Sequence, residues 1–97
     1  MKDKIKINVE QEIKELLPKY LNNRKNDLNI FKKALADLDA ITIEKTAHKI
    51  AGNAGSYGLD HLGEIAKRME LESHDKELAN IQKYLDEIEE YLNLIEY

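Results

Sequence analysis

The sequence contains no cysteine, only one proline and four glycines in 97 residues, and few aromatics. Without cysteine there is no disulfide framework and no thiolate chemistry, so a cytoplasmic setting is expected. No apolar run approaches the roughly 20 residues that a membrane span needs, and Met1-Lys2-Asp3-Lys4 lacks the apolar core of a signal peptide. An excess of positive charge is missing too. The formal net charge is −4 and the acids concentrate toward the C-terminus. Nucleic acid and anionic lipid both reward Lys and Arg, so neither is expected as a main partner. What remains is rich in Leu, Ile, Lys and Glu, a mostly helical composition, at a length that fits one domain spanning residues 1–97.

Along the chain, Ile5, Ile7 and Val9 alternate, as suits an extended arm or short strand. The spacing of Ile13, Leu16 and Leu17 predicts a short helix from residue 10, ended by Pro18, which is better placed in a first turn than deep in a helix. A longer helix restarts there and runs to about residue 37 on Tyr20, Leu21, Leu28, Phe31, Leu35 and Leu38. Its polar middle, Asn22 to Asp27, reads as exposed helix, with a loop as the alternative. Asp39-Ala40-Ile41-Thr42 reads as a connection. Thr42 is the candidate N-cap, although Lys45 rather than Glu occupies the capping-box position. The next helix covers 43–57 and closes on Gly58, a residue suited to a left-handed cap. Asp60 or Leu59 opens a helix with Leu62, Ile65, Ala66, Met69 and Leu71 as its stripe, and Ser73-His74-Asp75 is read as the turn. Leu78, Ile81, Leu85, Ile88, Leu92 and Ile95 then alternate steps of three and four. The predicted fold is all-α: an antiparallel up-down four-helix bundle with a short N-terminal helix capping one end. A dimeric coiled coil of the last helix is the competing architecture; it would leave three other stripes uncovered.

The stretch Thr46-Ala47-His48-Lys49-Ile50-Ala51-Gly52-Asn53-Ala54-Gly55-Ser56-Tyr57-Gly58 differs from the rest. Ala47, Ile50 and Ala54 share one side of a helix, while His48, Ala51, Gly52 and Gly55 share another that carries no large apolar side chain. Glycine costs about 1 kcal/mol in a helix interior relative to alanine. Gly52 and Gly55 therefore point to a requirement other than folding: small neighbours leave the ring uncovered and let another surface come close.

Several chemistries fit poorly. His48, His61 and His74 lie thirteen residues apart, which is no helical chelate spacing, so no metal site is expected. Ser56 with His48 is too little for a nucleophilic hydrolase. Scattered glutamates on a small bundle offer no cleft for a carboxylate pair. What remains is phosphoryl transfer at the imidazole, which depends on positioning and charge compensation. Lys45 and Lys49 are the cations within reach. No phosphate-cradling glycine loop is present, so the phosphoryl donor and its metal must come with a partner.

The run from His48 to Gly58 resembles the signature of histidine-containing phosphotransfer (HPt) domains: an apolar residue two after the histidine, glycine four after it, small residues, and a closing glycine. Tyr20-Leu21, Arg24, Asp27 and Ala34-Leu35 before it, and Leu62, Ile65, Ala66 and Met69-Glu70 after it, extend the likeness over about residues 12–95. The resemblance implies that His48 is the phosphoacceptor, that Gly52 gives room to the phosphoryl group and the partner, that Ile50 is core, and that Tyr57 and Gly58 end the helix. It implies a phosphotransfer intermediate rather than an autonomous kinase, with response-regulator receiver domains or a hybrid sensor kinase as partners, no cofactor of its own, and Mg²⁺ on the receiver. Ile41, Glu44, Lys45, Ala51, Gly52 and Gly55 would surround the docking face of a monomer. One departure stands out: the lysine frequent three residues after the histidine is Ala51 here, so Lys49, Lys45 or the partner would stabilise the phosphoryl group. A helical adaptor or inhibitor that docks by the same face without phosphorylation is the alternative function, and a homodimer built on the last helix a third.

Overall fold

The computed structural model describes residues 3–97; Met1 and Lys2, part of the charged lead-in, lie outside the described residues. Four α-helices, α1 (Gln11–Ala36), α2 (Ala40–Asn53), α3 (Asp60–His74) and α4 (Ile81–Leu94), are flanked by two-residue strands, β1 (Ile5–Lys6) and β2 (Ile95–Glu96). Each helix follows from an apolar stripe. Leu17, Tyr20, Leu21, Leu28, Phe31 and Ala34 are buried on α1, Ile43, Ala47 and Ile50 on α2, and Leu62, Ile65, Ala66 and Met69 on α3. On α4 the buried set is Ile81, Tyr84, Leu85, Ile88, Tyr91 and Leu92. Together they form one core, and α2 against α3 is its most extensive seam.

The separate N-terminal helix does not exist. Pro18 lies inside α1, which runs through it without a break. The proline is exposed while Leu17, Tyr20 and Leu21 around it are buried. A helix-interior proline costs about 3 kcal/mol; burying each large apolar side chain contributes roughly 1.5–3 kcal/mol. Three such residues on one face outweigh the missing donor. Asn22 to Asp27 are helical, so the loop alternative falls.

The start of α2 also needs correction. Asp39, not Thr42, is the N-cap: its carboxylate accepts from the Thr42 backbone N–H at 3.1 Å and from the Thr42 hydroxyl at 2.6 Å. Those bonds, the hydroxyl's first, hold the Asp39 carboxyl below its ordinary range. An ionised carboxylate is the stronger acceptor and suits the helix dipole, so Ala40 and Ile41 join the first turn. The chain reaches Asp39 through Leu38, a non-glycine at φ 54°.

The C-terminal end of α2 tightens into a 3₁₀ turn, Ala54–Tyr57, and closes on Gly58 in the left-handed region at φ 75°. A Cβ added at Gly58 would collide with Val9 Cγ1, so glycine is required both by its dihedral and by the N-terminal arm crossing it. On α3, Leu71 is exposed and off the stripe, while Ser73 and His74 belong to the last turn rather than the connection. Ser73 is buried because its hydroxyl donates to the Met69 carbonyl at 2.6 Å.

The long C-terminal seam is shared among elements. Leu78 packs on the core ahead of α4, and Ile95 belongs to β2. β2 pairs in parallel with β1, Ile5 opposite Ile95 and Lys6 opposite Glu96, and the Ile7 N–H donates to the Glu96 carbonyl at 2.9 Å. The alternation of the arm is thus a strand edge that brings Ile7 into the core, with the end of the chain as its partner.

Candidate functional site

α2 carries His48 on the side away from Ala47 and Ile50, and its side chain is 72% exposed. The ring is nevertheless held. His48 Nδ1 lies 2.6 Å from Oε2 of Glu70 on α3, and Glu70 Oε1 lies 3.4 Å from Lys67 Nζ one turn earlier. Small residues make that reach possible: a Cβ on Gly63 would sit only 3.6 Å from the Ala54 methyl and 4.0 Å from the Ala51 carbonyl, so the two helices run close together.

The Glu70 carboxyl is held below its usual range, chiefly by the hydrogen bond to His48, with Lys67 adding to it against some desolvation. It is ionised at neutral pH and can only accept. The shared proton is therefore on His48 Nδ1, which donates, and in the neutral ring the lone pair is left on Nε2. An exposed imidazole with one nitrogen fixed as donor presents the other as a nucleophile.

Around the ring, Lys45 and Lys49 are exposed, and with Glu44 and Glu70 they surround a shallow open depression beside His48. Gly52 is exposed, with no atom within 4 Å of where a Cβ would stand; Gly55 is exposed with only Asp60 Oδ1 near, at 3.4 Å. Ala51 is half-buried, and Ile41, two turns before His48, is 65% exposed. Of the six residues expected around the docking face, Ile41, Lys45 and Gly52 are exposed on α2, Glu44 and Ala51 are half-buried beside them, and Gly55 is exposed on the 3₁₀ turn that follows. Leu38, also exposed, extends it in a second open depression with Ile41, Lys76 and Leu78.

Two further contacts were not foreseen. His74 is exposed, yet its Nδ1 is 2.9 Å from Glu44 Oε2, and that carboxylate raises its pKa above 6.5. The roles of Glu70 and Lys67 were also missed. A Lys–Glu pair at i, i+3 is visible in sequence, but its link to a histidine 22 positions away exists only in the tertiary structure. His61 is exposed and meets Tyr91 edge-on at 5.2 Å. Among the described residues no cluster of His, Cys, Asp or Glu gathers to hold a metal ion, no hydrogen bond joins Ser56 to His48, and no helix is long and apolar enough to cross a membrane.

From the far side, α1 buttresses the end of α2. The Tyr20 hydroxyl donates to Asn53 Oδ1 and its ring stacks on Tyr57 at 3.9 Å. The Arg24 guanidinium lies 4.5 Å over the Tyr20 ring, its Nε 2.9 Å from Asp27 Oδ2 in an ion pair with poor hydrogen-bond alignment. Burial raises the Tyr20 phenol. The small-residue end of α2 is thereby fixed without bulk being added to its open face.

A family model described as the Hpt domain matches residues 15–96. No curated protein and no solved structure matches the chain.

Proposed function

The chain belongs to the Hpt domain family, whose members carry phosphoryl groups on histidine in phosphorelays, and we propose that this one takes a phosphoryl group on His48 Nε2 from a receiver-domain phospho-aspartate and passes it to another receiver. The observation that carries the reading is the exposed His48 ring with Nδ1 tied to the ionised Glu70.

In the forward step the Nε2 lone pair attacks phosphorus, the P–O bond to the donor aspartate breaks, and its electron pair leaves on that carboxylate. The Nδ1 proton stays on the ring and the Glu70 carboxylate balances the positive charge that the ring gains, so no proton has to be moved. The reverse step returns the group to a second aspartate. The chain supplies imidazole, carboxylate and docking face. Mg²⁺ comes with the receiver, and the chain needs no cofactor of its own and is no autonomous kinase. A hybrid sensor kinase is a further partner through its own receiver.

Gly52, Gly55 and Ala51 let the partner surface approach, Ile41 and Glu44 border it, and Lys45 and Lys49 add positive charge around a dianion. Such a face suits a transient complex of modest area. The whole of residues 1–97 acts as one domain, monomeric and cytoplasmic, on an antiparallel up-down course. The cross-helix pairs Glu44–His74 and His48–Glu70, in which one number rises as the other falls, support that course for α2 and α3. The pairing of β1 with β2, which brings the start of α1 beside the end of α4, supports it for those two.

Incubation with phosphorylated receivers tests the reading. Acid-labile label on the wild-type chain, absent from His48→Gln, is expected. A stable wild-type complex that never acquires label would make the chain a docking adaptor instead.

A further inference from the structure

A phosphoryl group on His48 is a dianion placed beside the carboxylate that holds the ring, and such a pair of like charges needs a cation that meets both. Three lysines stand near. Lys45 and Lys49 project from α2 and, among the described residues, neither forms an ion pair. Lys67 is different: its ammonium already lies 3.4 Å from the Glu70 oxygen that does not bind His48, one carboxylate away from the ring.

The space around Lys67 agrees. With Ala51, Gly55 and Gly63 it lines an open depression on the α2–α3 seam. A methyl at position 51, one turn beyond His48 on α2, leaves that space unfilled, and the Lys67 side chain, 58% exposed, borders it. Asp60 and Glu64 also face the depression, so Lys67 is the cation on its lining.

We propose that Lys67 on α3 is the charge-compensating residue of the phosphorylated state. It holds Glu70 while the ring is free, and turns its ammonium to the phosphoryl oxygens once the N–P bond has formed. This rests on the transfer reading of His48. The chemistry of the step is unchanged: Nε2 bonds to phosphorus and the donor aspartate leaves with its electron pair, while Lys67 takes no part in bond making or breaking.

The test uses the full chain and two phosphodonors. With a phosphorylated receiver at equilibrium, the ratio of phosphohistidine to phospho-aspartate is expected to fall roughly two- to fivefold in Lys67→Ala, the span of a partly exposed ion pair. Lys67→Arg should keep the ratio, and Ala51→Lys added to Lys67→Ala should restore it by bringing an ammonium to the same depression from α2. Lys45→Ala and Lys49→Ala, whose ammonium groups stand around the ring without an ion pair to Glu70, should each lower it by less than Lys67→Ala does. On chain labelled directly with phosphoramidate, the ³¹P titration of the phosphoryl group should move to higher pH in Lys67→Ala, a readout that a merely structural role would not move. A wild-type ratio and a wild-type titration in labelled Lys67→Ala overturn the assignment while leaving transfer intact. A loss of the ratio in Lys45→Ala or Lys49→Ala as large as that in Lys67→Ala overturns it too. If no receiver exchanges phosphoryl groups with the phosphoramidate-labelled wild type, the transfer reading itself falls.

Discussion

Replacing Gly52 separates what folding needs from what docking needs. No atom lies within 4 Å of a Cβ built there, and its φ is not in the left-handed region, so a side chain meets neither crowding nor strain. Gly→Ala in a helix is then stabilising by about 0.5–1 kcal/mol, the lower figure applying because Gly52 lies one residue from the end of α2. For a chain of this size that raises the midpoint of thermal unfolding by roughly 2–8 °C. Gln has nearly the helix propensity of Ala, so Gly52→Gln should share much of the gain. Transfer should respond in the opposite sense. The new side chain stands one turn after His48 on its open side, where a partner must close to bonding distance of Nε2. Overpacking a tight contact costs about 1–3 kcal/mol, or roughly 5- to 150-fold in rate. Gly52→Ala should therefore be slowed slightly and Gly52→Gln severely. Thermal unfolding followed by circular dichroism, alongside label transfer from a phosphorylated receiver, reads both. A Gly52→Gln chain that transfers at the wild-type rate, or a Gly52→Ala chain less stable than wild type, would refute the reasoning.

Gly58 should behave in the opposite way. Left-handed backbone costs a side chain about 1–2 kcal/mol, and the methyl would collide with Val9, so Gly58→Ala is expected to lower stability by about 2–4 kcal/mol in urea titration and to expose the β1 amides to hydrogen exchange. Glu70→Ala should reduce transfer by roughly ten- to a hundredfold, as for other partners that fix an imidazole tautomer, with Glu70→Gln milder because its carbonyl still accepts from Nδ1; equal rates for wild type and Glu70→Ala would remove Glu70 from the mechanism. The Glu44–His74 pair gives a pH signature. The carboxylate raises His74 above 6.5, so its stabilising contribution is complete below 6.5 and is lost as pH rises through the raised folded value; Glu44→Gln should return the His74 NMR titration toward 6.5 and flatten that slope. At the acid end, Asp39 and Glu70 have lowered values, so their contributions are present above their ordinary pKa values and are lost as pH falls through the folded ones.

Helical class, most of the core face of each helix and the solvent-facing histidine follow from local periodicity: Ala47 and Ile50 fall on one side of a helix and His48 and Gly52 on the other whatever the helix packs against, whereas Leu38 and Leu71, expected on stripes, are exposed and Tyr84 and Tyr91 join the core. Gly58 was legible for the same reason, as a helix stop that glycine alone tolerates. Pro18 misled because a local penalty was weighed without the burial of Leu17, Tyr20 and Leu21, which only packing supplies. Asp39 took the cap because its carboxylate accepts both the Thr42 N–H and the Thr42 hydroxyl, which starts the helix three residues earlier, and Ile95 left the helical pattern to join a strand whose partner lies ninety positions earlier. The tertiary structure alone decided which nitrogen of His48 is free. That depends on Glu70 and Lys67 arriving from a different helix, and distances across a seam between helices are written in no periodicity of either one.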